Sequence, residues 1–183
     1  PLYQYDASSG TFYIYSQESS AISQWKNDGT VLGARKVVLG RNVGSLTDIP
    51  LSKFANMEEI MVDSSNGAYA AENGMLYSRD KRELIFCPAR HGDDPKISEE
   101  CVTVGAGAFA GTSTVNKVVL PYSVQTLEED AFNTSSVKEI SIKAFQMDMG
   151  KNAVNASATL KVFQGSAGEA YAKERNIHHT LYT

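Results

Sequence analysis

Apolar residues recur along this chain at fixed offsets, with one apolar residue followed three and five positions later by two more. The copies read Ala34-x-x-Val37-x-Leu39, Met57-x-x-Ile60-x-Val62, Val115-x-x-Val118-x-Leu120 and Val137-x-x-Ile140-x-Ile142, and a weaker copy ends in Leu160-Lys161-Val162. The middle residues of neighbouring copies lie 23 residues apart in the first pair and 22 in the second. Alternation within each copy predicts a short strand with one buried face. The constant period predicts repeats that stack on one another.

A phenylalanine precedes each of three triplets, at Phe54, Phe109 and Phe132. A large ring at a fixed place in every repeat is expected to stack on the ring of the next repeat. Each buried ring then contributes on the order of a few kcal/mol to folding. We therefore expect one continuous core that contains all three rings.

The period breaks between Val62 and Ile97, where turn residues dominate. Asn66-Gly67 and Asn73-Gly74 are both strong hairpin signals. They predict a small antiparallel meander inserted at about 63–86. Leu84 lies 24 residues after Ile60, so its strand also qualifies as the next strand of the repeat stack.

The stretch 166–176 is the one strong helix signal in the sequence. Ser166 and Glu169 have the spacing of a capping box, and Asn176 is a suitable stop. Ile177 to Tyr182 then reads as a final strand. We expect this terminal element to cover the open end of the repeat stack, where apolar residues would otherwise be exposed.

Three motifs carry a resemblance to a known family. They are Val104-x-x-x-Ala108-Phe109, Val118-Val119-Leu120-Pro121-x-Ser123-Val124 and Leu127-x-x-x-Ala131-Phe132. They resemble the BspA-like, or TpLRR-type, leucine-rich repeats of bacterial secreted and cell-surface proteins, best over 97–142. The insert segment 73–80 and the start of the chain resemble segments that accompany such repeats. The resemblance implies a mainly β fold, a leucine-rich-repeat solenoid with an inserted β-meander or hairpin and a C-terminal capping helix.

These observations divide the chain into three expected parts. Residues 1–36 form a β-rich N-terminal lead-in or cap, residues 37–162 form the leucine-rich repeats with the insert, and residues 163–183 form a C-terminal cap of helix plus strand. The chain starts without an initiator Met or an apolar signal core. We expect the signal peptide and anchor of a secreted or surface protein to lie outside this chain.

Composition excludes some classes of partner. The formal net charge is −4, and the seventeen lysines and arginines are scattered, so no basic field attracts nucleic acid. No apolar run is long enough to span a membrane. Cys87 and Cys101 are too few for a disulfide framework. They either form a single bridge in an exported protein or remain separate thiols.

No motif in the sequence predicts catalysis, a cofactor or a metal. Gly105-Ala106-Gly107-Ala108-Phe109-Ala110 fits the letters of a dinucleotide fingerprint, but its glycines fall at variable positions of the repeat. His178 and His179 are adjacent on a strand, so they point to opposite faces and cannot grip one ion. We expect a protein that is not an enzyme and has no cofactor.

The leading functional hypothesis is a protein-interaction or adhesion module that binds an extracellular or host protein. Residues that alternate with the core positions would line an exposed sheet. This candidate ligand-binding surface comprises Glu59, Met61, Lys117, Val119, Glu139, Ser141 and Lys161.

Two other functions remain open. The first is carbohydrate binding through a stripe of tyrosines at strand spacing, formed by Tyr3, Tyr5, Tyr13 and Tyr15. Those rings would instead pack on the first repeat if the ribbon is structural. The second is a spacer role within a larger surface protein.

Overall fold

The computed structural model describes residues 1–134 and 136–183, and this part of the chain is mainly β. The strands, in chain order, are β1 (Tyr3–Asp6), β2 (Thr11–Ile14), β3 (Lys36–Leu39), β4 (Glu59–Val62), β5 (Tyr69–Glu72), β6 (Met75–Ser78), β7 (Glu83–Phe86), β8 (Thr103–Val104), β9 (Lys117–Val119), β10 (Thr126–Leu127), β11 (Glu139–Ser141), β12 (Asp148–Met149), β13 (Thr159–Val162) and β14 (His179–Leu181). The helices are α1 (Ser19–Ile22), α2 (Gly29–Leu32) and α3 (Ala167–Arg175), with a 3₁₀ turn at Leu51–Lys53. None of the described helices is long and apolar enough to cross a membrane.

The strands form three sheets. The N-terminal sheet has the order β1-β2-β3-β4, the middle sheet β12-β10-β8-β7-β6-β5, and the C-terminal sheet β14-β13-β11-β9. The β1–β2 hairpin and the β5-β6-β7 meander are antiparallel, while the remaining strand pairs are parallel. Parallel neighbours come from successive passes of the chain, as the repeat period predicts.

The parallel register aligns the middle residues of the apolar triplets. Phe12, Val37 and Ile60 pair across the N-terminal sheet, and Val118 and Ile140 pair across the C-terminal sheet. All five are fully buried. The apolar offsets in the sequence therefore correspond to a stack of buried side chains.

The phenylalanine series is interrupted, which corrects the expectation of one continuous ring stack. Phe109 and Phe132 are stacked with ring centroids 4.5 Å apart. Phe54 instead packs in a separate cluster, 6.1 Å from Phe12 and 5.9 Å from Trp25. The physical reason is Cys87: its amide donates to the carbonyl of Ala108 just as the amide of Phe109 donates to the carbonyl of Ala131. Cys87 therefore takes the position one repeat before Phe109.

Strand β6 lies between two apolar cores. Met75 and Tyr77 pack in the same apolar core as Phe109 and Phe132, which we call the C-terminal core. Leu76 packs in the core that contains Phe12 and Phe54, which we call the N-terminal core. Since successive side chains of a strand point to opposite faces, one short strand packs into both clusters. All three side chains are fully buried, and the Tyr77 hydroxyl accepts a hydrogen bond of 3.0 Å from the Ser98 amide.

Only one of the two expected hairpin turns exists. Asn73-Gly74 connects β5 to β6, with φ angles of 51° and 80° that this tight turn requires. Asn66 is instead buried. Its amide nitrogen donates to the carbonyls of Gly40 and Val43, and its oxygen accepts from the amides of Ala68 and Tyr69. The expectation of a hairpin at Asn66-Gly67 is wrong, because this side chain ties two loops together.

Two other expectations also need correction. Leu84, on β7, pairs with Val104 in the middle sheet, so it is not the next strand after β4 in the N-terminal sheet. Between Ile14 and the start of β3 at Lys36, the lead-in contains no strand. Helices α1 and α2 lie there instead, and Trp25, which lies between them in the sequence, is buried. Strand β2 already pairs with β3, so the lead-in and the first repeat share a sheet.

The helix forms as the capping signals predict. It spans Ala167–Arg175, the Ser166 hydroxyl accepts from the Glu169 amide at 3.2 Å, and Asn176 ends it with a left-handed φ of 56°. Gly168 packs closely on the core. A Cβ at this position would come within 2.7 Å of Cγ1 of Val162.

Replacing Phe132 by Ala should destabilise the fold by about 3–5 kcal/mol, because a fully buried ring in contact with Phe109 is lost. Urea unfolding followed by circular dichroism measures this free energy. The matched control is Phe145→Ala, since Phe145 is 53% exposed and its loss should cost little. Equal costs for the two variants would contradict the stacked core.

Candidate binding face of the C-terminal sheet

Rows of side chains cross the outer face of the C-terminal sheet. Lys117, Glu139 and Thr159 are paired in register on β9, β11 and β13. Their neighbours in sequence point into the core, so these three residues lie on the opposite side. The expected neighbour relation between Lys117 and Glu139 is therefore present in the backbone register.

The second row contains one residue that does not reach the surface. Val119, Ser141 and Lys161 are paired across the same strands, and Val119 and Lys161 are partly exposed. Ser141 is only 2% exposed, because its small side chain lies between two larger ones. Ser141 is thus removed from the candidate binding residues, while Lys117 is exposed and Glu139 partly exposed.

The remaining two candidate residues lie on the N-terminal sheet. Glu59 and Met61 on β4 are partly exposed, and Glu59 forms an ion pair of 3.3 Å with Lys36. Since β4 and β9 belong to different sheets, the seven residues proposed from sequence do not form a single row. The C-terminal sheet holds the larger group of them.

A carboxylate covers the free edge of strand β9. Oδ1 of Asp93 accepts hydrogen bonds from the amides of Asn116 at 2.7 Å and Lys117 at 2.8 Å. The hydrogen bond from Lys117 lowers the pKa of Asp93, so the carboxylate stays charged. This side chain occupies the place of a neighbouring strand. No sequence motif singles out Asp93.

Lysines and aromatic rings meet at the end of this face. We call Tyr122, Lys143, Lys161, Phe163 and Tyr182 the lysine–aromatic cluster. Nζ of Lys161 lies 4.6 Å from the centre of the Tyr182 ring, and Nζ of Lys143 lies 5.3 Å from that of Tyr122. Phe163 and Tyr182 are stacked at 4.6 Å. Such cation–π contacts hold each ammonium group over a ring face.

The four N-terminal tyrosines do not form one stripe. Tyr3 and Tyr5 pair with Ile14 and Phe12 and pack against the N-terminal core. Tyr13 and Tyr15 lie on the other face of the hairpin, where their rings stack at 6.1 Å. The ribbon therefore offers a pair of partly exposed rings rather than a row of four.

The glycines of the motif at 105–110 have a structural role in the backbone of the repeat. A Cβ on Gly105 would come within 2.9 Å of the carbonyl oxygen of Leu84. Gly107 has a φ of 65°, and Asp130 and Asn152 have φ angles of 59° and 53° at the corresponding places of the next two repeats. Gly107 thus makes a turn that recurs in three successive repeats and that Asp130 and Asn152 also adopt.

Each of the two adjacent histidines has its own local partner. Nε2 of His179 lies 3.5 Å from Oε2 of Glu169, and Nδ1 of His178 lies 3.3 Å from the Thr159 hydroxyl. A hydrogen bond from the Gly165 amide, together with Lys173 and His179, lowers the pKa of Glu169. Within residues 1–134 and 136–183, no three His, Cys, Asp or Glu side chains group to hold a metal ion.

Both cysteines are free, buried thiols. Burial raises the pKa of Cys101 to about 11 and the pKa of Cys87 further still. Since the thiolate is the reactive form, neither side chain is placed as a nucleophile. The alternative of a Cys87–Cys101 bridge is not the one the structure adopts.

The family comparison agrees with these repeats. A model of the BspA type leucine rich repeat region matches residues 86–174 in six copies. This part of the chain belongs to the BspA-type leucine-rich repeat family. The matched region starts in the meander and contains strands β8 to β13 and almost all of α3, so it includes Lys117, Glu139 and Lys161.

Two solved structures resemble this chain. A leucine-rich repeat protein from Eubacterium ventriosum is 28% identical, with a TM-score of 0.58 over 70% of this chain and 36% of its own. The pneumococcal vaccine antigen PcpA is 21% identical, with a TM-score of 0.52 over 72% of this chain and 39% of its own. The chain thus spans well under half of each. The comparison with curated proteins gives no match, and no enzyme family is indicated.

The two thiols should resist modification in the native protein. At pH 8, below the raised pKa of each, both stay protonated and inaccessible to a thiol reagent such as dithionitrobenzoate. Unfolding in guanidinium should release both for fast reaction. Absorbance of the released thionitrobenzoate measures the reaction, and rapid labelling of the native chain would contradict the buried placement.

Proposed function

We propose that this chain is a non-enzymatic binding module of a bacterial secreted or cell-surface protein, and that a protein partner docks on the outer face of the C-terminal sheet. The BspA-type repeats over 86–174 support an interaction role. Stacked repeats keep their inward positions apolar while their outward positions are free to vary, which suits recognition of a partner.

The observation that carries this proposal is the register of the outer face. Lys117 and Glu139 are direct neighbours, and Val119 and Lys161 lie in the adjacent row. None of these four side chains is needed to fill the core, since Val118, Ile140 and Leu160 do so. The face therefore combines charged and apolar groups on a rigid support.

The proposed architecture of the repeat region is a solenoid closed by helix α3. Tyr171 and Ala172 of this helix belong to the C-terminal core, and Gly168 packs on Val162. The helix thus covers apolar residues at the end of the stack. This arrangement leaves the sheet face accessible to a partner.

We place the module outside the bacterial cell, with an extracellular or host protein as the partner. The basis is the membership of residues 86–174 in the BspA-type family together with the implication drawn from the sequence resemblance. Protease treatment of intact cells, followed by detection of the chain, tests this location. Resistance of the chain on intact cells but not in lysates would contradict it.

Binding to a panel of purified fibronectin, fibrinogen and collagens, measured by biolayer interferometry, tests the docking face. At least one protein should bind, and Lys117→Glu or Glu139→Lys should change its affinity. An exposed pair stabilises the fold by at most about 1 kcal/mol, so the melting temperature should move by less than about 4 °C.

A Tyr13→Ala, Tyr15→Ala double variant is the control on the N-terminal hairpin, and it should bind like the parent. If this variant loses binding while the charge variants keep it, the docking face is wrong. Binding of the chain to a glycan array is measured in parallel and compared with binding to the protein panel. Binding to glycans alone would favour the carbohydrate function, and no binding to either panel would favour the spacer.

A further inference from the structure

We infer that the lysine–aromatic cluster, together with the cleft beside it, binds an acidic, extended polypeptide segment. This inference rests on the proposed function and names the chemistry of the partner at one end of the docking face. It draws on the charge, the ring contacts and the shape of that region.

The cluster holds two ammonium groups without acidic partners. Among the described residues, Lys36, Lys81, Lys96 and Lys173 each lie within 4.0 Å of a carboxylate. Lys143 and Lys161 have no such partner in that part of the chain and lie over tyrosine rings instead. The cluster itself contains two ammonium groups and no carboxylate, in a chain whose net charge is −4. Carboxylates of a partner would complement it.

The ring contacts disfavour a neutral sugar as the occupant. The Tyr182 ring has Phe163 stacked at 4.6 Å and the Lys161 ammonium group at 4.6 Å from its centre. The Tyr182 ring is therefore already engaged within the protein, and the exposed Tyr122 ring carries Lys143. Such rings hold the lysines in place and extend the apolar support around them.

A cleft of about 220 Å³ lies next to Lys143. Apolar side chains of Ile97, Val119 and Pro121 line it, beside Lys143. It offers room for an apolar side chain within reach of the ammonium group. Asp94 and Glu99 also line this cleft, so it suits an apolar side chain of the partner, while the partner's carboxylates lie over Lys143 and Lys161.

The spacing of the lysines matches an extended chain. Lys161 pairs with Ser141, two residues before Lys143, so the two lysines are diagonal neighbours about 8 Å apart at Cα. In an extended peptide, side chains two positions apart lie about 6.6–6.8 Å from each other on one side. The lysine side chains are long enough to span the difference between these two distances. Acidic residues at alternate positions of the peptide would therefore reach both Lys143 and Lys161.

The test uses a fluorescein-labelled dodecapeptide in which glutamate alternates with threonine around one central leucine, with fluorescence anisotropy as the readout. We expect it to bind at low salt, to weaken at high salt and to bind about tenfold more tightly than the same peptide with glutamine for glutamate. Lys143→Glu and Lys161→Glu should each weaken binding by about tenfold. Melting temperatures verify that the variants are folded.

Lys151→Glu is the matched control, because it changes the net charge equally but lies beyond β12 in the middle sheet. It should leave the peptide affinity within about twofold of the parent. Equal binding of the glutamine peptide, no effect of the cluster variants, no peptide binding, or tighter binding of a heparin oligosaccharide would each overturn the inference. If the inference fails but matrix proteins still bind through Lys117 and Glu139, the proposed function stands without the inference.

Discussion

The parallel hydrogen-bonded register between successive repeats is the constraint on which this structure depends. It places Val118 beside Ile140 and Ile140 beside Leu160, so equivalent positions of neighbouring repeats become physical neighbours. The inward positions must therefore all be apolar, because each is in contact with its counterparts. The same register puts Lys117 beside Glu139 on the outside, where nothing in the core fixes the residue type. A stable core and a variable face thus follow from one backbone arrangement.

The sequence predicts those features that depend on contacts between equivalent positions or on local turns. The apolar offsets predict the buried rows, and the Phe109 and Phe132 spacing predicts their stacking. The turn at Asn73-Gly74 and the cap at Ser166 are local, since each depends on backbone groups within a few residues. Such signals need no knowledge of distant parts of the chain.

Other features depend on contacts that no period or turn rule encodes. Phe54 leaves the ring stack because the meander inserts extra chain and brings Cys87 to the place before Phe109. Asn66 has the composition of a turn, yet its amide satisfies the carbonyls of Gly40 and Val43, more than twenty residues earlier. Most of the lysine–aromatic cluster was likewise missed, because Tyr122, Lys143 and Phe163 lie after the apolar triplets and come from separate repeats. Lys161 lies within a triplet and was already a candidate residue. The sequence signal for those three residues was that each follows a predicted strand.

The central claim is that the outer face of the C-terminal sheet is the working surface of this module. The most direct test is a titration of the isotopically labelled chain with a binding fragment of the panel protein that it recognises, followed through backbone amide chemical shifts. The claim predicts that the largest shifts cluster at 117–122, 141–145 and 161–163, which adjoin one another on that face. Largest shifts in the hairpin 3–15, or along the middle sheet, would contradict it.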